Sequence, residues 1–288
     1  MTRVRDYLKA HSIQEAVTLA AQSERPFCFL AGGTDLLLKL GHGDGSPITL
    51  IDVSDVAEMS VVEAGGDGWT IGGAVKMAQL KQAILPASPY RALGQGAGEV
   101  GSPQIRNLAT IGGNVCTASP SADTAAPLLA LDARATLLSP RGSRELPLAE
   151  LWLGPGQTAL AEGELLVSLS VPAAPPEAAS EYIKRKVREA LDLAIVGVSV
   201  FLSRAGGHFE ARIALAAVAP TPIRARQAEA LVNASSRLTD EVIREAARLA
   251  EQASSPISDV RGSARYRRAM VRKLTERALR QVREELGE

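Results

Sequence analysis

The chain has 288 residues, of which 46% are hydrophobic and 3% aromatic, so alanine, leucine and valine must fill the cores of about two domains. Because 32 basic residues balance 32 acidic ones, overall charge does not favour a nucleic-acid-binding protein. Two cysteines are too few for an iron–sulfur cluster, and no segment resembles a signal peptide or an apolar membrane span, so we expect a cytoplasmic protein without a metal of its own.

The first predicted helix begins at Ser12. Ser12 and Glu15 have the spacing of a capping box, in which each side chain accepts a hydrogen bond from an unpaired backbone N–H group. The apolar residues that follow share one helical face: Ile13, Ala16, Val17 and Ala20. Residues 27–31 predict a short buried strand and residues 49–53 predict another. We place the end of a small N-terminal lobe just after the second strand.

Two glycine-rich stretches are the most specific signals in the chain. Residues 30–37 read Leu-Ala-Gly-Gly-Thr-Asp-Leu-Leu, and residues 110–114 read Thr-Ile-Gly-Gly-Asn. Paired glycines let the backbone approach a ligand closely, and successive exposed N–H groups form a concave site for an anion. Neither stretch matches the common dinucleotide or P-loop fingerprints. We expect two loops that bind one diphosphate from two sides, although each pair alone is as typical of a tight turn.

Further elements are predicted between and beyond these stretches. A third glycine pair lies in a predicted strand at residues 69–75, and we interpret it as a β-bulge or a point of close backbone packing. A helix is predicted to begin at residues 120–123 and to continue over 125–131. Strands are predicted at residues 135–138 and 165–171. Residues 172–180 are rich in proline and small side chains, which is typical of a linker.

The C-terminal part is predicted to combine strands with helices. Strands are predicted at residues 193–202 and 213–218. Thr239 is a predicted N-cap, with acidic residues favourably placed in the first turn after it. The apolar face of this helix is predicted to consist of Val242, Ala246, Leu249, Ala250 and Ala253.

The last segment, from Arg261, is basic. It holds nine basic and four acidic residues, so its net charge is +5. Apolar residues recur at every fourth position: Tyr266, Met270, Leu274, Ala278, Val282 and Leu286. The segment is either a helix with a solvated basic face or part of a contact with another subunit. Nucleic acid is disfavoured because no aromatic residues are interleaved for base stacking.

The order of these motifs resembles that of a known family. The two glycine-rich stretches, and the Ser-Pro, Asp123 and Pro-Leu-Leu-Ala-Leu sequence after the second, resemble the FAD-binding medium subunit of molybdenum hydroxylases. This is the xanthine dehydrogenase and carbon monoxide dehydrogenase family. The resemblance continues nearly to the C-terminus, through residues 164–172, 182–184, 191–196, 219–225 and 261–268.

The resemblance implies an α+β fold with two domains. A two-lobed FAD-binding domain of the PCMH type is expected over residues 1–175, with lobes of about 1–54 and 55–175. A sheet-plus-helix domain similar to the C-terminal domain of the CO dehydrogenase flavoprotein is expected over residues 176–288.

The resemblance also implies where FAD binds, without a covalent bond. The candidate residues are Leu30, Ala31, Gly32, Gly33, Thr34, Asp35, Leu36, Leu37, Val100, Thr110, Ile111, Gly112, Gly113, Asn114, Asp123, Leu166 and Lys184. Asp123 is implied to accept hydrogen bonds from the hydroxyl groups of the flavin side chain, and Lys184 to lie near the pyrimidine edge of the ring. Val100 and Leu166 are implied to pack at the ring.

Each of these residues also has a simpler interpretation. Asp35 and Asp123 each lie where a carboxylate can cap a helix. Lys184 can be an exposed lysine of a strand, and Val100 and Leu166 can be ordinary core residues. The three histidines are scattered and none is next to a nucleophile, so we predict no catalytic residues in this chain.

The implied function is electron transfer within a complex. FAD on this subunit would receive electrons from 2Fe–2S clusters on a small subunit and pass them to NAD, a quinone or another acceptor. A large subunit with the molybdenum cofactor would hydroxylate the substrate, and the complex would be a dimer of heterotrimers. The alternatives are a self-contained flavin reductase or oxidase of the same wider fold, and a nucleotide-binding module without turnover.

Overall fold

The N-terminal lobe is a parallel three-stranded sheet covered by helices. In the computed structural model, which describes residues 3–43, 45–86, 88–188 and 191–288, the strand order is β1-β3-β2. The elements are β1 (Val4–Lys9), α1 (Ile13–Gln22), β2 (Phe27–Leu30), α2 (Leu36–Gly41) and β3 (Ile48–Asp52). The central strand β3 is buried at every position, whereas β2, predicted to be buried, is only half-buried.

The start of α1 confirms the predicted cap. The Ser12 side chain accepts a hydrogen bond from the Glu15 N–H at 3.1 Å. The Glu15 carboxylate in turn accepts from the His11 N–H at 2.7 Å, one residue earlier than the usual partner in a capping box. Ala16, Val17 and Ala20 are buried as predicted, because they face the sheet.

The second lobe is a five-stranded antiparallel sheet with helices packed on it. Its strand order is β4-β5-β10-β6-β7. The elements are β4 (Val62–Gly65), β5 (Gly68–Gly72), α3 (Met77–Ile84), α4 (Arg91–Glu99), α5 (Pro103–Arg106), α6 (Ile111–Cys116), α7 (Ala125–Ala130), β6 (Arg134–Ser139), β7 (Gly142–Pro147), β8 (Trp152–Gly154), β9 (Gln157–Thr158) and β10 (Leu165–Pro172). The short strands β8 and β9 pair with each other.

The third glycine pair is a point of close backbone packing, as predicted. A Cβ on Gly73 would lie 2.5 Å from the carbonyl oxygen of Leu166, so only glycine fits against β10 there. The Gly73 oxygen accepts a hydrogen bond from the Gly112 N–H at 2.9 Å. This pair therefore fixes the position of the second glycine-rich stretch.

The C-terminal domain is a four-stranded antiparallel sheet with three helices. Its strand order is β11-β12-β13-β14. The elements are β11 (Ala178–Arg185), β12 (Val196–Ala205), β13 (His208–Ala216), β14 (Ile223–Arg224), α8 (Arg226–Asn233), α9 (Asp240–Ala253) and α10 (Ala264–Glu285). The segment between β10 and β11 is residues 173–177, which is shorter than the predicted linker because β11 already begins at Ala178.

The structure confirms the N-cap of α9 and corrects its apolar face. Thr239 accepts a hydrogen bond from the Val242 N–H, as predicted. The buried residues are Ile243, Ala246, Ala247 and Ala250, while Ala253 is exposed. The face is rotated because α9 lies between α8 and α10, and its small alanines allow both helices to approach.

The apolar stripe of α10 belongs to the domain's own core. Ala278 and Val282 are fully buried, and Tyr266, Met270, Leu274 and Leu286 are partly buried against the same core. Arg267 is also buried, and its guanidinium donates to the carbonyl oxygens of Ile195 and Ala217 and to Asp259. The interpretation of this stripe as a contact with another subunit is therefore wrong. The basic residues that remain exposed are on the opposite side.

Polar contacts join the C-terminal domain to the second lobe. Asp132, just after α7, accepts hydrogen bonds from Arg212 of β13 at 2.7 Å and Arg224 of β14 at 2.6 Å. Glu285 at the end of α10 pairs with Arg91 of α4. Within the described residues, no helix is both long enough and apolar enough to span a membrane.

Candidate functional site

A cleft of about 520 Å³ lies where the two lobes and the C-terminal domain meet. The first glycine-rich stretch and α2 line it from the N-terminal lobe, and α6 and the chain that follows it line it from the second lobe. Leu191, Asp192 and Leu193 reach it from the C-terminal domain. Residues far apart in the chain thus converge on one space.

The first stretch is a turn with unpaired backbone donors. It connects the end of β2 at Leu30 with the start of α2 at Leu36, and Gly33 has a positive φ of 70°. In the described part of the chain, the N–H groups of Gly32, Gly33, Thr34 and Asp35 have no hydrogen-bond partner. Successive N–H groups around a left-handed residue form a concave anion site. The predicted turn with exposed N–H groups is thus present, and its binding of a diphosphate stays a prediction.

The two glycines of this turn are needed for different reasons. A Cβ on Gly32 would overlap the carbonyl group of Leu108, so this glycine allows the turn to pack directly against the chain before α6. At Gly33 the neighbouring atoms leave more room, and the positive φ is the constraint. The turn is therefore held against the second lobe by backbone contact.

The second stretch is not a loop, and this prediction was wrong. Residues 111–114 are the first turn of α6, and Thr110 is its N-cap, accepting a hydrogen bond from the Gly113 N–H at 3.2 Å. The N–H groups of Ile111, Gly112 and Asn114 also donate within the chain, to Val75, Gly73 and Thr110. The glycines of this stretch therefore line the cleft without side chains, and the stretch offers no second set of unpaired N–H groups.

Asp123 is the centre of a buried polar cluster. It is 7% exposed, and its two carboxylate oxygens accept from the Tyr182 hydroxyl and from Lys184 Nζ, each at 2.9 Å. The Lys184 side chain is 2% exposed and also donates to the carbonyl oxygen of Glu99. The interpretation of Lys184 as an exposed strand lysine is therefore wrong. So is that of Asp123 as a cap, because Thr124 holds the N-cap position of α7.

Burial controls the ionisation of this cluster. It raises the pKa of Asp123 to about 6, although the positive charge of Lys184 and the hydrogen bonds from Lys184 and Tyr182 act in the opposite direction. Burial, followed by the charge of Asp123, raises the pKa of Tyr182 well above its usual value. Asp123 also lines the cleft, and a carboxylate with two partners keeps free acceptor sites for a ligand hydroxyl.

The remaining predicted residues divide into two groups. Val100, half-buried, and Leu166, buried, both line the cleft. Asp35 also lines it and holds the N-cap position of α2, but its side chain makes no capping hydrogen bond. Four predicted residues do not line the cleft: Leu30, Leu37, Ile111 and Lys184. Lys184 contacts Asp123, which does line it.

Several residues that line the cleft were not predicted. Cys28, Phe29 and Lys39 flank the first glycine turn, so their position beside a motif was a usable signal. Glu164 and the segment 191–193 lie in stretches that carry the family resemblance, but nothing in their local pattern indicated a position at the cleft, since only the packing of the domains brings them there. Burial raises the pKa of both thiols, that of Cys116 to about 12. Both cysteines are free, and no described group of His, Cys, Asp and Glu could hold a metal ion.

These features fit a dinucleotide. The unpaired N–H groups of the glycine turn suit a diphosphate, and Asp123 suits the hydroxyl groups of a sugar-like chain. The apolar residues Val100 and Leu166 suit a flat ring. A flavin dinucleotide combines all three groups, and the volume of the cleft is typical of a small-molecule site.

Comparison with protein families gives two matches that together span most of the chain. Residues 2–174 match the FAD binding domain in molybdopterin dehydrogenase. Residues 180–282 match the CO dehydrogenase flavoprotein C-terminal domain.

Individual proteins of known sequence or structure are similar over nearly their whole length. The putative xanthine dehydrogenase FAD-binding subunit XdhB of Escherichia coli (strain K12) is 34% identical over 95% of this chain and 94% of its own. A chain of carbon monoxide dehydrogenase from Hydrogenophaga pseudoflava superposes with a TM-score of 0.90 at 32% identity, covering 97% of each chain. A chain of quinoline 2-oxidoreductase from Pseudomonas putida 86 has a TM-score of 0.90 at 25% identity, covering 99% of each.

Proposed function

The chain belongs to the family of FAD-binding medium subunits of molybdopterin-dependent dehydrogenases, and on that basis we propose that it relays electrons within such a complex. It receives them from 2Fe–2S clusters on a small partner subunit and passes them to NAD or another acceptor. The observation that carries this proposal is the cleft, which offers backbone donors for the diphosphate of FAD, a carboxylate for its hydroxyl groups and apolar side chains for its ring. The described residues of the chain form no metal site.

The residues of this chain bind and orient the cofactor. FAD, when bound, supplies the exchange of electrons singly or in pairs. The N–H groups of Gly32, Gly33, Thr34 and Asp35 bind its diphosphate, and Asp123 accepts from its side-chain hydroxyl groups. Val100 and Leu166 pack at the ring and keep water away from it. Lys184 is a positioning residue, because its ammonium group holds the Asp123 carboxylate in place.

The domain boundaries also remain a proposal. We assign residues 1–175 to the FAD-binding domain, with lobes of about 1–54 and 55–175, and residues 176–288 to the C-terminal domain. The short segment 173–177 between two sheets supports this division. The gap between the two family matches falls in the same region.

The partners follow from the proposed relay. They are a large subunit with the molybdenum cofactor and a small 2Fe–2S subunit, arranged as a dimer of heterotrimers in the cytoplasm. The names of the relatives support a multi-subunit enzyme, since XdhB is called an FAD-binding subunit. The free cysteines are consistent with a reducing compartment. Solved relatives named for carbon monoxide and for quinoline have the same fold as this chain, which supports selection of the substrate elsewhere in the complex.

The experiment is purification from the native host with an affinity tag on this chain. We expect two further subunits with molybdenum and iron, identified by mass spectrometry and metal analysis, and FAD that acid precipitation releases into the supernatant. Under anaerobic conditions, xanthine and carbon monoxide are each added to the complex and to the isolated chain. Bleaching of the flavin in the complex but not in the isolated chain supports the relay. Substrate bleaching of the isolated chain would instead show a self-contained oxidase.

A further inference from the structure

The charged residues that line the cleft are mostly acidic. They are Asp35, Lys39, Asp123, Glu164 and Asp192, so Lys39 is the one cation among the described lining residues. Such a wall repels an anion unless its carboxylates are neutralised or a cation faces the ligand. The position and partners of Lys39 therefore decide how the cleft can hold a diphosphate.

Three of the carboxylates already have partners. Asp123 pairs with Lys184, and Glu164 pairs with Arg144 through two hydrogen bonds of 2.7 Å. Asp192 accepts from the backbone N–H groups of residues 187 and 188 at 2.7 and 2.8 Å. Within the described chain, Lys39 forms no ion pair with any carboxylate. Its ammonium group is therefore available to a negatively charged ligand in the cleft.

Lys39 lies one helical turn after the glycine turn. Its N–H donates to the Asp35 carbonyl oxygen at 3.1 Å, which places both residues on the same side of α2. Lys39 itself lines the cleft, as does Cys28, and its positive charge partly offsets the effect of burial on the pKa of that thiol. Cys28 lies on β2, the strand that leads into the same turn. Lys39 thus lines the same cleft as the turn that carries the unpaired N–H groups.

We propose that Lys39 binds the phosphate groups of the dinucleotide held by this turn and supplies the positive charge that the N–H groups alone do not. The inference rests on the proposed position of the diphosphate at Gly32, Gly33, Thr34 and Asp35. A diphosphate carries a full negative charge on each phosphate, whereas backbone N–H groups contribute only partial charges. An ammonium group on a flexible stem is a common phosphate ligand and needs no fixed geometry.

The test measures FAD affinity in the full-length chain after the flavin has been removed. Lys39→Gln is expected to weaken FAD binding about tenfold, the range expected for one charge-assisted hydrogen bond, and to reduce its dependence on salt. Lys39→Arg keeps the charge and should retain most of the affinity. ADP carries the diphosphate without the flavin, so its own dissociation constant should also rise about tenfold in Lys39→Gln relative to the unmodified chain.

Lys273→Gln is the matched control. Lys273 is an exposed lysine of α10 that does not line the cleft, so this variant makes the same change in net charge. It should bind FAD with unchanged affinity. The melting temperature of each flavin-free variant is measured in parallel, and we expect no shift for Lys39→Gln because its side chain is exposed.

The outcomes separate the two proposals. Unchanged FAD affinity in Lys39→Gln, equal losses in Lys39→Gln and Lys39→Arg, or an equal loss in Lys273→Gln would overturn the role of Lys39. FAD binding that ADP does not inhibit in the unmodified chain would contradict the position of the diphosphate itself. A lowered melting temperature in Lys39→Gln would show that the effect on affinity is structural.

Discussion

Asp123 is a carboxylate kept in a buried position by two partners from the other domain. Its pKa in the folded chain is raised, mainly by burial, from 3.8 to about 6. The unfolded chain therefore releases this proton at lower pH than the folded chain does. Because the folded state binds more protons in this window, Asp123 lowers the stability of the fold as pH rises from about 4 to about 6.

The residue-scale prediction is a pH-dependent difference between the chain and Asp123→Asn. Relative to the variant, the unmodified chain should lose stability between pH 4 and pH 6, since asparagine does not titrate. Urea unfolding of both flavin-free proteins across this range measures the difference. A difference that is constant with pH would mean that Asp123 is not the group that titrates.

A second prediction at this scale concerns Gly32. Gly32→Ala should weaken FAD binding and lower the melting temperature, because the added Cβ overlaps the Leu108 carbonyl and pushes the glycine turn away from the second lobe. Gly41→Ala is the control, since its Cβ would meet no atom within 4 Å. The control should be neutral or slightly stabilising, as expected for alanine in place of glycine in a helix. Flavin fluorescence and thermal melting report both effects, and equal behaviour of the two variants would contradict the close contact.

At the scale of elements, α10 is a structural helix of the C-terminal domain. It packs on α9 and on the sheet, and removing the chain from Arg261 onward would expose the core that Val271, Leu279 and Val282 complete. Such a truncation should therefore destabilise the C-terminal domain and weaken FAD binding with it. The exposed basic side of α10 is the part still available to a partner.

The prediction for this element is a large loss of stability in Leu279→Ala. Leu279 is fully buried, so replacing its side chain with that of alanine should lower the free energy of unfolding by about 2–5 kcal/mol. Lys273→Ala, on the exposed side of the same helix, should change it by less than about 0.5 kcal/mol. Urea denaturation measures both variants. Similar small changes would show that α10 is not part of the core.

At the scale of the whole molecule, the cleft depends on how the C-terminal domain sits on the second lobe. Tyr182 and Lys184 lie on β11, yet they hold Asp123 of the second lobe. Asp132 supports the same interface through Arg212 and Arg224. Contacts far from the cleft therefore maintain its geometry.

Asp132→Ala should weaken FAD binding without touching the cofactor. Loss of this carboxylate leaves Arg212 paired only with Glu210 of its own domain, and leaves Arg224 with one remaining contact across the interface, to the Leu129 carbonyl oxygen. The domains should therefore separate more readily, so that segment 173–177 is cleaved faster in limited proteolysis. Glu210→Ala is the control, because Glu210 pairs with Arg212 within the C-terminal domain. FAD affinity and cleavage rate are measured together. An effect of the control as large as that of Asp132→Ala would argue against the interface.

Features that depend on near neighbours in the chain could be predicted from the sequence. The caps at Ser12 and Thr239 and the close packing of the third glycine pair were predicted correctly, because each requires only residues a few positions apart. Each predicted strand overlaps an observed one, but seven of the fourteen strands in the described residues were not predicted. The resemblance of motifs in order was enough to identify the family. It did not require the geometry of any single residue.

Which side chains contact each other across long sequence separations depends on the fold of the whole chain. Asp123 and Lys184 are 61 positions apart, and no local pattern indicates that they form a buried pair. The N–H groups of residues 111–114 donate to Val75, Gly73 and Thr110, and these residues form the first turn of α6 where a loop was expected. The apolar stripe of α10 could be recognised in the sequence, but such a pattern indicates only that one face of the helix is apolar and not what it packs against. What covers that face is set by packing, because burial depends on the whole chain and not on the segment that carries it.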